Sequence, residues 1–184
     1  MNRAYILIGS NVQKKANYQR ALRRLTAIGN VLAISSVYET APIGNKASAS
    51  FYNGAVLLET ELGAFPLKRA LRIIESQLGR VRTENPYAAR TVDLDIVLFN
   101  HDTINDEDLH VPAPLVLQEA FVALPIAEIS PQYVHPTDGR TLAEIARTFG
   151  KHPFGIRIEA TATARAKQIM HRKVEGALPH ARAS

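Results

Sequence analysis

The 184-residue chain is 46% hydrophobic and 21% charged, enough apolar material for one sizeable core. It has no cysteine, which excludes disulfides, thiol catalysis and cysteine-ligated zinc, and no apolar run nears the about 20 residues of a membrane span. The formal net charge of +5 resides in residues 151–184, which carry seven basic and two acidic side chains; residues 1–150 carry 15 of each sign. Met1-Asn2-Arg3 runs straight into a strand-like segment without a signal-peptide pattern, so a soluble cytoplasmic protein is the expectation.

Ala4 to Ile8 is a short apolar run, read as a buried strand that ends in the turn residues Gly9-Ser10-Asn11. Tyr18, Ala21, Leu22, Leu25 and Ile28 follow at helical spacing, with Arg20, Arg23 and Arg24 on the other face, and Gly29-Asn30 is the stop. Val31 to Tyr38 reads as a second strand and Phe51 to Glu59 as a third, with a small, polar loop at 44–50 between them. Leu67, Leu71, Ile74 and Leu78 mark a second helix, opened near Pro66 and closed by Gly79. Arg80 to Ala89 is irregular, and Arg90 to Phe99 is a fourth strand. Further on, Leu115 to Ile126 reads as a short helix broken by Pro125, Leu142 to Ala146 as another, and Ala160 to Val174 as a third of weak amphipathicity.

Strand, helix, strand, strand, helix, strand is the order of an α+β, ferredoxin-like βαββαβ sandwich, here with C-terminal helical additions. That plan puts both helices on one face and leaves the other for loops and ligand. Residues 1–150 are expected to form this domain. Residues 151–184 are expected to be a basic extension, partly helical or disordered.

Chemistry concentrates in Arg90-Thr91-Val92-Asp93-Leu94-Asp95. Side chains two apart on a strand share a face, so Asp93 and Asp95 lie side by side, their Cα atoms about 7 Å apart. Two adjacent carboxylates either grip divalent metal ions or serve structurally, one of them capping the strand and pairing with Arg90. Arg80, Arg82 and Arg90 lie on or beside the neighbouring loop, and their planar forks suit phosphate oxygens. No phosphate-binding P-loop and no protein-kinase signature occurs, and the six histidines have no zinc spacing. The paired aromatic strand motifs of RNA-recognition domains are also missing, so nucleic acid is not an expected partner.

The joint pattern is more specific than any piece of it. Tyr5-Ile6-Leu7-Ile8-Gly9-Ser10-Asn11, Ser35-Ser36-Val37-Tyr38-Glu39-Thr40, Phe51-Tyr52-Asn53-Gly54-Ala55-Val56, Ile74-Glu75 through Gly79-Arg80-Val81-Arg82, and Arg90 through Ile96 resemble the 6-hydroxymethyl-7,8-dihydropterin pyrophosphokinase family. Order and spacing fit from about residue 4 to about residue 148. The resemblance implies transfer of pyrophosphate from ATP to the pterin hydroxymethyl group, with AMP released, in folate biosynthesis. It implies that Asp93 and Asp95 hold two Mg²⁺ ions and that Arg80, Arg82 and Arg90 contact phosphates. Glu75, Ile96 and His110 are then assigned to the ATP side, and Thr40, Pro42, Ile43, Asn53 and Phe121 to the pterin. The partners are these small molecules, with no membrane, and the protein is expected to be a monomer. One stretch departs from the family pattern. Where the family has a His after Val-Pro this chain has Ala113, and where it has an Arg two residues before the Phe this chain has Glu119. His110 is the nearby candidate substitute for the lost cation, and Tyr87 for an aromatic of the second loop.

Overall fold

The computed structural model describes residues 1–41, 49–81, 90–150, 153 and 155–176, with 171–176 as backbone alone. β1 (Asn2–Ser10) is followed by α1 (Lys14–Leu25), β2 (Asn30–Ile34), β3 (Tyr38–Thr40), β4 (Phe51–Thr60), α2 (Ala64–Gln77) and β5 (Asp93–Phe99). A hairpin of β6 (Ile104–Asn105) and β7 (His110–Val111) leads to α3 (Leu115–Gln118), α4 (Ala120–Ile129), α5 (Leu142–Arg147), β8 (Ile156–Ile158) and α6 (Ala160–Gly176). Among the described residues no helix is long and apolar enough to cross a membrane.

The main sheet runs β5-β1-β4-β3-β8, with β2 also paired to β4, and its pairings are antiparallel. β4 is inserted between β1 and β2, the two strands joined through α1. This is the split βαβ arrangement of the ferredoxin-like plan. Alternation along the strands explains the layers. Ile6, Ile8, Val56, Leu58, Leu94 and Ile96 face Leu22 and Leu25 of α1 and Leu67 and Leu71 of α2. Tyr5, Leu7, Ala55 and Val97 point the other way, against Val122, Ala123 and Ile126 of α4 and Leu142 and Ile145 of α5. The second face is therefore not left open, as the strand order alone suggested. Helices from beyond residue 114 cover its apolar part, and the end with Asp93, Gly9 and Asn53 lies outside that cluster.

Three local expectations change. The stretch Val31–Tyr38 is two strands, because the Ser35 hydroxyl takes the Ala55 N–H (2.9 Å) and diverts the ladder there. Glu128 of α4 then ties down the gap. Its carboxylate accepts from Ser36 N (3.0 Å), the Ser36 hydroxyl (2.9 Å) and the Tyr38 hydroxyl (3.0 Å). The break in the 115–129 helical stretch is at Glu119, extended at φ −129°, ψ 122°, while Pro125 sits inside α4. Finally, β8 was not legible as a strand, and it places the first part of the basic C-terminal stretch on the main sheet.

Two stability predictions follow from this packing. A Cβ on Gly54 would lie 2.2 Å from the Tyr18 hydroxyl and 3.2 Å from Ser36 O. Both the Tyr18 ring and the β4 backbone are fixed in the core, so Gly54→Ala is expected to cost about 1–3 kcal/mol and lower Tm in calorimetry. His135 is buried, accepts the Asp138 N–H at Nδ1 (3.2 Å), and among the described residues has no partner for Nε2. Burial holds its pKa below the ordinary 6.5. Below pH 6.5 the unfolded chain takes up a proton that the native imidazole resists, so stability is lost as pH falls through that value. Thermal unfolding between pH 7.5 and 5.5 should show this loss, and His135→Gln should flatten it.

Candidate active site

The end of α2 builds one wall of the site. Gly79 adopts φ +82°, which turns the chain back, and Arg80 N–H donates to Glu75 O (3.0 Å) across the turn. The turn aims the Arg80 side chain at β5. Its Nη1 donates to Val92 O (2.8 Å), pairs with Asp93 Oδ1 and lies 3.7 Å from Glu75 Oε1. Glu75 is only 2% exposed, and its Oε1 accepts the Leu94 N–H (2.8 Å). That N–H belongs to the sheet's edge strand, so a side chain from α2 satisfies it instead of another strand.

The other wall comes from the turn after β1. Asn11 N–H and Val12 N–H both donate to Arg90 O (3.1 and 3.2 Å), and Asn11 Oδ1 accepts Arg90 N–H (2.7 Å). The Ser10 hydroxyl donates to Thr91 O (2.5 Å). Arg90 Nη1 then pairs with Asp93 Oδ2, so Asp93 carries one guanidinium on each oxygen. The sequence reads Gly9-Ser10-Asn11 as a turn that could offer backbone donors, and as part of the family pattern, without a structural role for the Ser10 and Asn11 side chains. The overlooked signal was two polar residues, Ser10 and Asn11, directly after an apolar strand; both are buried.

Asp95 differs from its neighbour. Its side chain is exposed at the sheet surface, while neighbouring protein atoms partly desolvate its carboxyl group. That low-dielectric setting, together with the negative charges of Asp93 and Glu75, raises its pKa to about 6 against the opposing pull of Arg80 and Arg90. Three carboxylates thus face two described guanidinium groups, a surplus of negative charge that a divalent cation would relieve. Among the described residues no three His, Cys, Asp or Glu converge on one point. The arrangement fits Mg²⁺, which takes one or two protein carboxylates and completes its shell with phosphate oxygens and water.

Across the sheet, Asp93, Gly9 and Asn53 are in direct register on three adjacent strands. Gly9 leaves a gap between the two side chains, where a Cβ would come 3.3 Å from Asn53 Oδ1 and 3.7 Å from Asp93 Cβ. Asn53 is buried and donates from Nδ2 to Thr40 Oγ1 (2.8 Å). Phe121 opens α4 and packs, partly buried, on the apolar cluster of the same sheet face. The expected residues therefore form two groups on one face: Arg80, Arg90, Asp93 and Asp95, and across Gly9, Thr40 and Asn53.

Other expected residues fall elsewhere. The Ile96 side chain packs in the core between sheet and α1–α2, on the face opposite Asp95. His110 is exposed on β7, and its side chain makes no hydrogen bond or ion pair among the described residues. Ala113 donates its N–H to Val97 O (2.9 Å), and Glu119 is the residue before α4, its side chain unpaired among the described residues. Pro42, Ile43, Arg82 and Tyr87 lie outside the described residues.

The profile of the 7,8-dihydro-6-hydroxymethylpterin-pyrophosphokinase (HPPK) family matches residues 5–131. The chain is 43% identical over 134 residues to the 2-amino-4-hydroxy-6-hydroxymethyldihydropteridine pyrophosphokinase of Bacillus subtilis, covering 71% of this chain and 80% of that one. It is 37% identical over 147 residues to the protein of the same name from Methylorubrum extorquens, covering 78% and 91%. A solved structure of Plasmodium falciparum HPPK-DHPS superimposes with a TM-score of 0.66 at 16% identity. The match covers 85% of this chain, which spans 48% of that longer one. The two larger pieces of the site, the turn carrying Arg80 and the strand carrying Asp93 and Asp95, both fall within the matched residues, and the chain belongs to the 7,8-dihydro-6-hydroxymethylpterin-pyrophosphokinase family.

Proposed function

We propose that this protein transfers the pyrophosphoryl group of ATP to the hydroxymethyl oxygen of 6-hydroxymethyl-7,8-dihydropterin, yielding the pterin diphosphate and AMP in folate biosynthesis. The observation that carries this reading is the register of Asp93, Gly9 and Asn53. It sets an acid pair bracketed by arginines beside a buried amide, with a side-chain-free gap between them.

In this reading Asn53, held by Thr40, offers a donor and an acceptor to the pterin edge, and Phe121 offers it an aromatic face. Pro42 and Ile43 complete the pterin side, by family resemblance. Arg80 and Arg90 neutralise phosphate charge as it develops, and Arg82 is assigned the same role by family resemblance. Glu75 acts through β5, because its carboxylate fixes the strand that presents both aspartates. Asp93 and Asp95 would hold two Mg²⁺ ions, which would supply positive charge against the triphosphate. Holding both substrates across one gap turns a bimolecular encounter into a positioned reaction. Residues 1–150 supply all these groups, and the protein acts as a cytoplasmic monomer on small molecules.

The test is product analysis by chromatography of purified protein with ATP, Mg²⁺ and the pterin alcohol. Equimolar AMP and pterin diphosphate are expected. Release of ADP, or no product above a metal-free blank, contradicts the proposal.

A further inference from the structure

β3 has only three residues, Tyr38–Thr40, and β4 pairs with one of its sides. So short a strand at a sheet edge is weakly held. In this protein it is not an edge. β8 pairs with its other side in the register Tyr38 with Ile158, Glu39 with Arg157 and Thr40 with Ile156. Ala41 N–H donates to Gly155 O (3.0 Å), and Glu159 N–H donates to Val37 O (2.8 Å). The antiparallel alternation makes Glu39 and Arg157, midway between, a pair that exchanges both main-chain bonds.

Side chains reinforce the same contact. Arg157 donates to Glu39 Oε2 from Nε (3.0 Å) and Nη2 (2.5 Å), while Lys14 Nζ holds Oε1 (2.7 Å). Thr163 Oγ1, in the first turn of α6, accepts Val37 N–H (2.8 Å). α6 is itself anchored, with Ala166 buried and Ile169 and Met170 packed on the core. Gly155 lets the chain come onto β3: its φ is +75°, and a Cβ there would stand 3.4 Å from Ala41 Cβ. The β8 and α6 residues that make these contacts, Gly155 to Met170, lie outside the family-matched residues 5–131.

We propose that residues 155–163 are a positioning brace for the substrate side of the site, because β8 makes β3 an interior strand and so fixes Thr40 against Asn53. The inference rests on the proposed pterin role of Asn53 and Thr40. Thr40 is flanked on both sides by main-chain bonds to the brace, and its hydroxyl orients the Asn53 amide. The aspartates sit on β5, at the opposite end of the sheet order from β8, and Arg80 and Arg90 pair with Asp93 there. The brace therefore governs one substrate and not the other. Arg157 is a positioning residue in this account, since it touches no reacting group.

The experiment uses the full chain with Arg157→Pro, Arg157→Lys and Thr163→Val. Arg157→Pro deletes the N–H that pairs with Glu39 O together with the ion pair. It should raise KM for the pterin about tenfold, with kcat and the KM for ATP within about twofold of wild type. Arg157→Lys, which keeps the N–H and a cation, should match wild type. Thr163→Val should move the pterin KM in the same direction by about threefold, and it serves if the proline variant does not fold. A folded Arg157→Pro protein with an unchanged pterin KM, or with both KM values raised alike, overturns the proposal. Absence of wild-type turnover contradicts the proposed function instead. Amide hydrogen exchange at Ala41 and Val37 then decides the brace: lost protection in Arg157→Pro supports it, and retained protection overturns it.

Discussion

Replacing Asp95 by Asn is expected to lower kcat/KM by at least about 10³-fold while leaving the fold as stable as before or more so. The substitution keeps shape and hydrogen bonding but removes the anionic oxygen that would bind a divalent cation. The stability half of the prediction comes from crowding. Partial desolvation, and then the negative charges of Asp93 and Glu75 beside it, raise the Asp95 pKa from 3.8 to about 6. Between those values the native state retains a proton that the unfolded chain releases, so stability falls as pH rises through the window. At neutral pH the whole cost is present, and a neutral Asn removes it. Asp93→Asn should behave differently. Asp93 accepts Arg80 on one oxygen and Arg90 on the other, and its loss removes a charged partner from both guanidinium groups. Activity and Tm should then fall together. Steady-state kinetics with thermal unfolding of both variants checks this, and an Asp95→Asn protein with near-normal turnover contradicts it. In the proposed reaction Asp95 would thus be the part of the site that sacrifices stability for chemistry, and Asp93 the part that also holds the site together.

Substituting Ala113→His together with Glu119→Arg is expected to raise kcat/KM for ATP by about 10²-fold, with the KM for the pterin little changed. These are the two positions where the chain departs from the family pattern it otherwise follows. Ala113 reaches Val97 only through its main chain, and the Glu119 carboxylate has no cation partner among the described residues. Each charge-assisted hydrogen bond to a phosphate oxygen is worth about 1.5–3 kcal/mol, so two restored donors account for the gain. Exchanging a negative for a positive charge at 119 adds to it at low salt and should weaken as salt rises. Steady-state kinetics over a range of salt reads both effects. The result separates two forms of the enzyme. A large gain marks the natural chain as a weakly active relative with an altered phosphate grip, and no gain means that Arg80, Arg90 and the metal suffice.

The main fold was legible because its signals are local. Strand alternation, the helical spacing of Tyr18 to Leu25, and Gly79 after the second helix each specify their element without reference to the rest. Asp93 and Asp95 were legible because two carboxylates in an apolar strand conflict with the core they interrupt. What escaped depends on tertiary partners. Ser35 breaks a strand only because Ala55 N–H meets its hydroxyl. Pro125 is tolerated within α4, and the chain turns at Glu119, which closes α3 by an N–H bond to Leu115 O and opens α4 by accepting Val122 and Ala123 N–H. Ile156-Arg157-Ile158 is too short and too exposed to read as a strand, and only pairing with β3 makes it one. Likewise, Ser10 and Asn11 gain their meaning from the Arg90-Thr91 backbone, far away in sequence.

The most direct test of the central claim is calorimetric titration of ATP into the purified protein, with and without Mg²⁺, repeated on Asp95→Asn. If the Asp93–Asp95 pair anchors the metal-bound triphosphate between Arg80 and Arg90, tight ATP binding requires Mg²⁺ in the natural protein. In the variant it weakens at least about tenfold. Equal ATP affinity with and without Mg²⁺, unchanged by Asp95→Asn, contradicts the account.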